Sequence, residues 1–360
     1  MCSDDTSVAI LEKKAISSNS VNHGPTPAAI LHFHETITAD NSQHRGIHPL
    51  VSLESHQSSL ANLVVKALGH LPEASTTEND GTSQAIILRN GYDRAKKRKP
   101  DIVTVARGPG MRSSLSTGLD TAKGLAVAWQ VPLLGVNHVQ AHALTSRLVS
   151  ALGKDSSIPP DPAFPFLSLL VSGGHTLLVH SRTLTEHKIL VSTSDIAIGD
   201  AIDKIARLVV PEDTLDESDE IMYGWLLENF AFPNGAVDHQ YSGPTTTRQE
   251  KTRKQTRWGW KLAAPFSATR SDLKSNAMEF SFSGLGSAVE RIVDESTHEM
   301  TIEERIDLAK EAMRLSFEHL ASRVILALGT FANQDFSGAN VVNTLVVGGG
   351  VASNGYLRTM

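Results

Sequence analysis

The 360-residue chain contains one cysteine, Cys2. A single thiol rules out an internal disulfide framework and a four-cysteine zinc site within one chain, and it is compatible with a reducing compartment. No apolar run approaches the ~20 residues that a membrane-spanning helix needs, so no membrane partner is expected. No Arg-rich amphipathic stretch precedes the first motif, where Asp4 and Asp5 follow Met1 almost at once. Positive charge is in deficit: 33 Lys and Arg face 39 Asp and Glu, giving a net charge of −6 and a pI near 6.2. That balance argues against non-specific nucleic-acid binding by bulk charge, but it leaves room for a local basic patch. Two such patches stand out, Arg94 to Lys99 and Arg248 to Arg257.

What is present is an ordinary globular composition, 40% hydrophobic and 20% charged, over a length that suggests two domains. Short apolar or β-branched runs predict strands at Val8–Leu11, Asp101–Ala106, Pro132–Val136, Phe166–Val171, Thr176–His180 and Asn343–Val347. Helical spacing predicts helices at Leu53–Leu68, Ser113–Gln130, His138–Leu148, Asp200–Val210 and Ile302–Thr330, with another opening at Ala352–Arg358. Ser, His, Asn and Pro make Ile16–Ser52 read as a long connection, and Leu71–Gln84 reads as a polar loop. Lys96–Lys99 reads as a basic lead-in to the strand at Asp101–Ala106. Pro233–Ser275 reads as an inserted, largely solvated loop. Alternation of strands and helices makes the class α/β. The expected lobes are residues 1–135 and residues 136–360, the second carrying the polar insertion around 233–275.

His138 and His142 are four residues apart on a helix, so they share a face and are close enough to grip one metal ion. Two helix-surface histidines explain the same spacing. A zincin protease needs Glu directly after the first His, and Val139 stands there instead. In Leu170-Val-Ser-Gly-Gly-His-Thr176 an apolar strand runs into two glycines. Without Cβ atoms, Gly173 and Gly174 would let a phosphate or acyl group reach backbone N–H donors; a plain hairpin turn is the alternative. Strand, three glycines and helix start recur at Leu345–Asn354, a geometry that presents an anion to a helix N-terminus, with a tight turn as the alternative. Neither turn matches Walker A or G-x-G-x-x-G. Asp200 and Asp203 open a helix. The first suits the helix dipole, and the second is either structural or a partner for ribose hydroxyls. Ser281 and Ser283 show no nucleophile pattern.

The order of the motifs carries more than any one of them. Cys2-Ser-Asp-Asp-Thr6, Ala106-Arg-Gly-Pro-Gly110, Gly135-Val-Asn-His-Val-Gln-Ala-His142, Leu170-Val-Ser-Gly-Gly-His-Thr176, Gly199-Asp-Ala-Ile-Asp-Lys204, Phe280-Ser-Phe-Ser-Gly284 and Val346-Val-Gly-Gly-Gly-Val351 follow one another along the chain. Together they resemble the tRNA N6-adenosine threonylcarbamoyltransferase family, once labelled a glycoprotease family. Gly-Gly-His-Thr in place of Gly-Gly-Asn-Thr, with long polar insertions, looks like its bacterial/mitochondrial branch and a fungal mitochondrial member in particular.

The resemblance implies a two-lobed actin/Hsp70/sugar-kinase-like fold with the active site in a cleft. It implies a nucleotide substrate of the threonylcarbamoyl-AMP or ATP type, and transfer of the threonylcarbamoyl group from threonylcarbamoyl-AMP to N6 of the adenosine 3′ of the anticodon, position 37, in tRNAs reading codons that begin with adenine. One divalent metal per subunit, iron- or zinc-like, would sit on His138 and His142. Leu170, Val171, Ser172, Gly173, Gly174, Asp203 and Asn354 would line the nucleotide and acyl-adenylate site. The family's Pro-Gly-Gly segment is altered here to Met222-Tyr-Gly-Trp225, which makes Gly224 the matching contact. Asp4 or Asp5 is the candidate general base. tRNA, a homodimer and a mitochondrial location are the implied partners and place. The family's apolar first strand and its C-terminal metal-ligating aspartate are not matched, so the chain is expected to be truncated at both ends, with the third metal ligand beyond Met360. A metalloprotease and a non-catalytic nucleotide- or tRNA-binding remnant are the rival classes.

Overall fold

The computed structural model describes residues 3–14, 28–41, 47–74, 85–90, 93–153, 160–216, 223–244, 256–266, 277–332 and 342–360. The chain divides into two compact units, Met1–Ala163 and Phe164–Met360.

Unit one opens with an antiparallel pair, β1 (Asp5–Lys13) and β2 (Ala29–Thr38). β1 contains the strand expected at Val8–Leu11. β2 lies inside the segment expected to be a connection and corrects that reading. Its alternation is masked because only Ala29 and Phe33 are buried, while His34, Thr36 and Thr38 face solvent. Helix α1 (Pro49–Gly69) starts on a proline, whose missing N–H needs no partner in a first turn. It buries Leu60, Leu63 and Ala67 on one stripe and packs on β1 and β2.

Strands β3 (Ala85–Asn90) and β4 (Asp93–Arg98) form a second antiparallel pair. Lys96–Arg98 therefore lies inside a strand rather than leading into one. The Arg98 N–H donates to the Pro72 carbonyl at 2.8 Å and the Ala74 N–H to the Lys96 carbonyl at 3.1 Å, which anchors β4 to the segment after α1. Of the loop expected at Leu71–Gln84, residues 75–84 lie outside the described residues. Strands β5 (Val103–Gly108) and β6 (Leu133–Asn137) pair in parallel through helix α2 (Arg112–Trp129). Helix α3 (His138–Gly153) follows β6 directly and packs against β2, β5 and β6. Those contacts group α3 with unit one, which runs to Ala163.

Unit two is built on one five-stranded sheet in the order β10-β9-β8-β7-β11. The strands are β7 (Phe166–Val171), β8 (Thr176–Ser181), β9 (His187–Thr193), β10 (Glu279–Phe280) and β11 (Leu345–Gly348). β8 runs antiparallel to both β7 and β9, while β10 runs parallel to β9 and β11 parallel to β7. Every residue of β7 and β8 is buried, as expected for apolar runs covered on both faces. Helices α4 (Ile198–Val209), α5 (Glu212–Asp216), α6 (Tyr223–Ala231), α7 (Ser283–Asp294), α8 (Ile302–Ala332) and α9 (Gly355–Thr359) complete the unit. Among them α4, α6, α7 and α8 pack together around Ile198, Ile205, Leu227 and Met313.

Part of the expected solvated insertion is strapped onto α8. Leu262 is buried, the Trp258 indole N–H donates to Asp307 at 2.8 Å and that of Trp260 to Glu304 at 3.2 Å. Residues 245–255 and 267–276 of that insertion lie outside the described residues.

The Phe280-Ser-Phe-Ser-Gly284 motif acquires a structural role. Phe280 and Phe282 are fully buried, while Ser281 and Ser283 turn their hydroxyls to Asp195. The Asp195 carboxylate also accepts the N–H groups of Phe282 at 3.0 Å, Ser283 at 3.1 Å and Ile196 at 2.7 Å. A side chain 88 residues upstream thus caps α7. Burial works against the charge on Asp195, but the hydrogen bonds from Ser283, Ser281 and the two backbone amides outweigh it and hold the carboxyl at about 2. Asp195→Ala is expected to destabilise unit two by roughly 1–2 kcal/mol, the scale of a lost cap. Urea melts followed by tryptophan fluorescence measure this, and an unchanged midpoint would mean that water replaces the carboxylate without loss.

Candidate functional site

The first glycine turn joins β7 to β8. Val171 and Thr176 are paired, the Ser172 N–H donates to the His175 carbonyl at 2.9 Å, and the His175 N–H donates to Ser172 Oγ at 3.0 Å. It is a hairpin turn, and it also caps a helix. The Ile198 N–H donates to Thr176 Oγ1 at 2.8 Å, and the Gly199 N–H donates to the Ser172 carbonyl at 3.2 Å. Ala197, the residue at the N-cap of α4, has no side chain able to do this. The positive end of the α4 dipole therefore rests on the turn. So close an approach requires Gly199: a Cβ there would come within 2.6 Å of the Gly173 nitrogen. On the open side the turn is empty, since a Cβ on Gly173 or Gly174 would meet nothing within 4 Å.

The second glycine turn leaves β11. Gly348 is in register with Leu170, which places the two turns side by side at the same end of neighbouring parallel strands. Gly349 has φ +107°, and a Cβ on it would lie 2.7 Å from the Val171 carbonyl carbon. Beyond it, Gly350–Ser353 forms a short 3-10 turn and Asn354 caps α9, its Oδ1 accepting the Leu357 N–H at 2.9 Å. Asn354 is buried, and Glu228 of α6 secures the segment by accepting the N–H of Gly355 at 2.7 Å.

Asp203 lies one turn into α4, on the face that meets α6. Its carboxylate accepts the Gly224 N–H, and a Cβ on Gly224 would lie 3.5 Å from Ile202. Burial raises the Asp203 carboxyl to about 6; Arg207 opposes the shift, and Asp200 adds to it. Asp200 is itself paired with Lys204 at 2.9 Å. Leu170 to Gly174, Asp203, Gly224 and Asn354 thus gather at one end of the unit-two sheet.

In unit one, Asn137 caps α3 by accepting the Gln140 N–H at 3.1 Å, which sets His138 in the first turn and His142 one turn on. Their Nε2 atoms are 3.2 Å apart. Two imidazole nitrogens on one tetrahedral zinc-type ion, each at ~2.0–2.1 Å, would be about 3.3 Å apart. The pair therefore fits the imidazole half of a metal site. Among the described residues no group of three or more His, Cys, Asp or Glu is placed to hold an ion. Asp4 accepts from Ser3 Oγ at 2.8 Å, and Asp5, at the start of β1, accepts from Thr38 Oγ1 at 2.6 Å.

A cavity of 730 Å³ lies elsewhere in unit two, against α8 and Trp260. Its charges answer one another: Arg314 binds Glu311 and Glu318, and Arg257 binds Glu303 and Asp307. Arg257 is the described end of the second basic patch, and the rest of that patch, 248–255, lies outside the described residues. Sequence reading missed Glu228 and the cap made by Asp195. A carboxylate four residues after Gly224, on the same helical face, was the one available signal for Glu228.

Residues 93–360 match the family model described as TsaD: tRNA N6-adenosine threonylcarbamoyltransferase. The mitochondrial tRNA N6-adenosine threonylcarbamoyltransferase of Schizosaccharomyces pombe is 34% identical over 358 residues, covering 99% of this chain and 70% of that one. The tRNA N6-adenosine threonylcarbamoyltransferase of Brucella abortus is 30% identical, covering 99% of this chain and 77% of that one. The protein of the same description from Protochlamydia amoebophila is 29% identical, covering 72% and 62%. Arrangement, motif order and likeness agree: the chain belongs to the tRNA N6-adenosine threonylcarbamoyltransferase family.

Proposed function

We propose that this chain transfers the threonylcarbamoyl group from threonylcarbamoyl-AMP to N6 of adenosine 37 in tRNAs that read codons beginning with adenine, and that it works in mitochondria. The observation that carries the proposal is the gathering of both glycine turns, Asp203, Gly224 and Asn354 at one end of the unit-two sheet. The order of that sheet supports the actin/Hsp70/sugar-kinase-like reading of the fold. The name of the Schizosaccharomyces pombe relative supports the mitochondrial location.

The tRNA amine attacks the carbamoyl carbon, so a nitrogen–carbon bond forms and the bond from that carbon to the phosphate oxygen breaks. AMP departs, and the amine gives up one proton, for which Asp4 or Asp5 is the candidate acceptor. The N–H groups of Gly173 and Gly174, backed by the α4 dipole, stabilise the charge that builds on the departing phosphate. Asp203 receives the ribose hydroxyls, and above pH ~6 it does so as a carboxylate. Asn354, its Oδ1 occupied by the helix cap, offers its amide nitrogen to the base or sugar. His138 and His142 would hold a divalent ion, which when bound supplies Lewis-acid polarisation of the acyl group.

The protein, given threonylcarbamoyl-AMP and an unmodified tRNA transcript carrying adenosine 37, is expected to produce the modified nucleoside. Transfer should cease on chelation and return with an added divalent ion. Mass spectrometry of the digested tRNA reads the result. A digest without product, beside an active bacterial relative, would sink the proposal.

A further inference from the structure

Register turns the first basic patch into a directed surface. In the β3–β4 ribbon, Arg89 stands opposite Arg94, Ile87 opposite Lys96 and Ala85 opposite Arg98. Residues directly opposed share a face, so one face carries Arg89, Arg94, Lys96 and Arg98. Lys97 belongs to the other face, where it is half-buried and paired with Glu73 at 2.6 Å. The four cations of the first face are all exposed, as is Ile87 at 62%. Arg98 is paired with Asp101. Among the described residues, Arg89, Arg94 and Lys96 have no carboxylate partner.

Such an arrangement is unfavourable by itself. Like charges directly opposed on a sheet repel, and a lone two-stranded ribbon has little stability to spare. The chain as a whole is acidic, at −6, so this concentration of cations runs against its general charge. A polyanion laid along the face removes the repulsion. Same-face residues recur every ~6.6–6.8 Å along a strand, a step comparable with that between neighbouring phosphates of a nucleic-acid chain. Arginine and lysine on an open ribbon grip phosphates without reading bases.

We propose that the β3–β4 ribbon is a docking surface for the phosphate backbone of tRNA, with Arg89, Arg94 and Lys96 as its contacts. The proposal rests on the transferase reading for its choice of polyanion. It adds Arg89, which lies outside the basic run, and removes Lys97, which lies within it.

The test compares the full chain with its Arg89→Ala/Arg94→Ala/Lys96→Ala variant and with Lys97→Ala, using an unmodified tRNA transcript at several salt concentrations. The triple variant is expected to bind tRNA about 10- to 100-fold more weakly and to lower the slope of log affinity against log salt by about 2–3. Its KM for tRNA should rise to a similar degree, with kcat and the KM for threonylcarbamoyl-AMP nearly unchanged. Lys97→Ala should match the unsubstituted protein. A melting temperature of the triple variant no lower than that of the unsubstituted protein shows that the fold is retained without the repelling cations. A triple variant with the original affinity and slope overturns the proposal, and an acidic protein surface then becomes the better occupant. If the unsubstituted protein fails to transfer but binds tRNA through these three residues, the transferase reading fails while the ribbon stands. If it transfers and the triple variant binds normally, the ribbon alone fails.

Discussion

Alanine at position 349 is expected to lower the stability of unit two by roughly 2–6 kcal/mol, whereas alanine at position 350 changes it by less than about 0.5 kcal/mol. Two penalties combine at Gly349. Its φ of +107° and ψ of 169° lie in a region essentially reserved for glycine, at a cost of about 1–3 kcal/mol for another residue. The new Cβ would also press on backbone atoms of Val171, 2.7 Å from the carbonyl carbon and 3.2 Å from the nitrogen, and overpacking of this kind costs about 1–3 kcal/mol. Neither strand can yield easily, because β7 and β11 are held in register up to Gly348. At Gly350 a Cβ meets nothing within 4 Å. Relief at Gly349 can come only from moving the turn away from β7, which also displaces Asn354. The KM for threonylcarbamoyl-AMP should therefore rise by at least about tenfold, since a displacement near 1 Å is enough to impair a bound geometry. Urea melts and steady-state assays on the two variants measure both effects. Equal stability of the two would show that the turn is not locked against Val171.

How much of this arrangement was legible beforehand depended on how local its causes are. β7, the turn at Gly173 and Gly174, and β8 were plain because an uninterrupted apolar run, two glycines and a second run lie within Phe166–Ser181. α3 and the shared face of His138 and His142 followed from the four-residue spacing alone. β2 was not legible, because its outward positions carry His and Thr and its inward face holds only Ala29 and Phe33 buried. The β3–β4 ribbon was obscured in the same way: the charged side chains that mark it as solvated are those of its open face. The β9 strand was passed over because Leu190 and Ile189 fall among polar neighbours in His187–Thr193. Long-range capping was out of reach in principle. Nothing near Asp195 announces that it will cap α7, and nothing near Glu228 announces that it will anchor the start of α9. Motif order supplied what spacing could not, since the gathering of Gly173, Asp203, Gly224 and Asn354 is produced by the whole sheet.

The contribution of His319 to the stability of unit two is expected to fall steeply on acidification, whereas Asp203, its carboxyl raised to about 6 by burial, acts in the opposite sense between pH 6 and 3.8. The His319 side chain is 3% exposed on α8, with the rings of Phe266, Phe280 and Phe282 around it. Its Nε2 accepts the Ser281 N–H at 3.2 Å, so the ring is neutral with its proton on Nδ1. Burial, reinforced by Arg323 and only partly offset by Asp195, lowers the imidazole to about 3 from an ordinary value of 6.5. In the unfolded chain the same group takes up its proton near 6.5. Between those two values the unfolded state binds more protons than the folded one, so the contribution to stability is complete above pH 6.5 and shrinks as pH falls. The loss runs at roughly 1.4 kcal/mol per pH unit, or about 2–3 kcal/mol by pH 4.5, and it levels off only below pH 3. Asp195, held at about 2 against an ordinary 3.8, adds to the loss in the same direction once the pH drops below 3.8. His319→Gln keeps an acceptor for Ser281 but cannot titrate. The variant should therefore be less stable than the unsubstituted protein at pH 7 and should lose stability more slowly between pH 6.5 and 4.5. Three of the four tryptophans, Trp225, Trp258 and Trp260, lie in unit two, so urea melts followed by their fluorescence report on it. A His319→Gln variant with the same pH slope as the unsubstituted protein would show that the acid sensitivity arises from other groups.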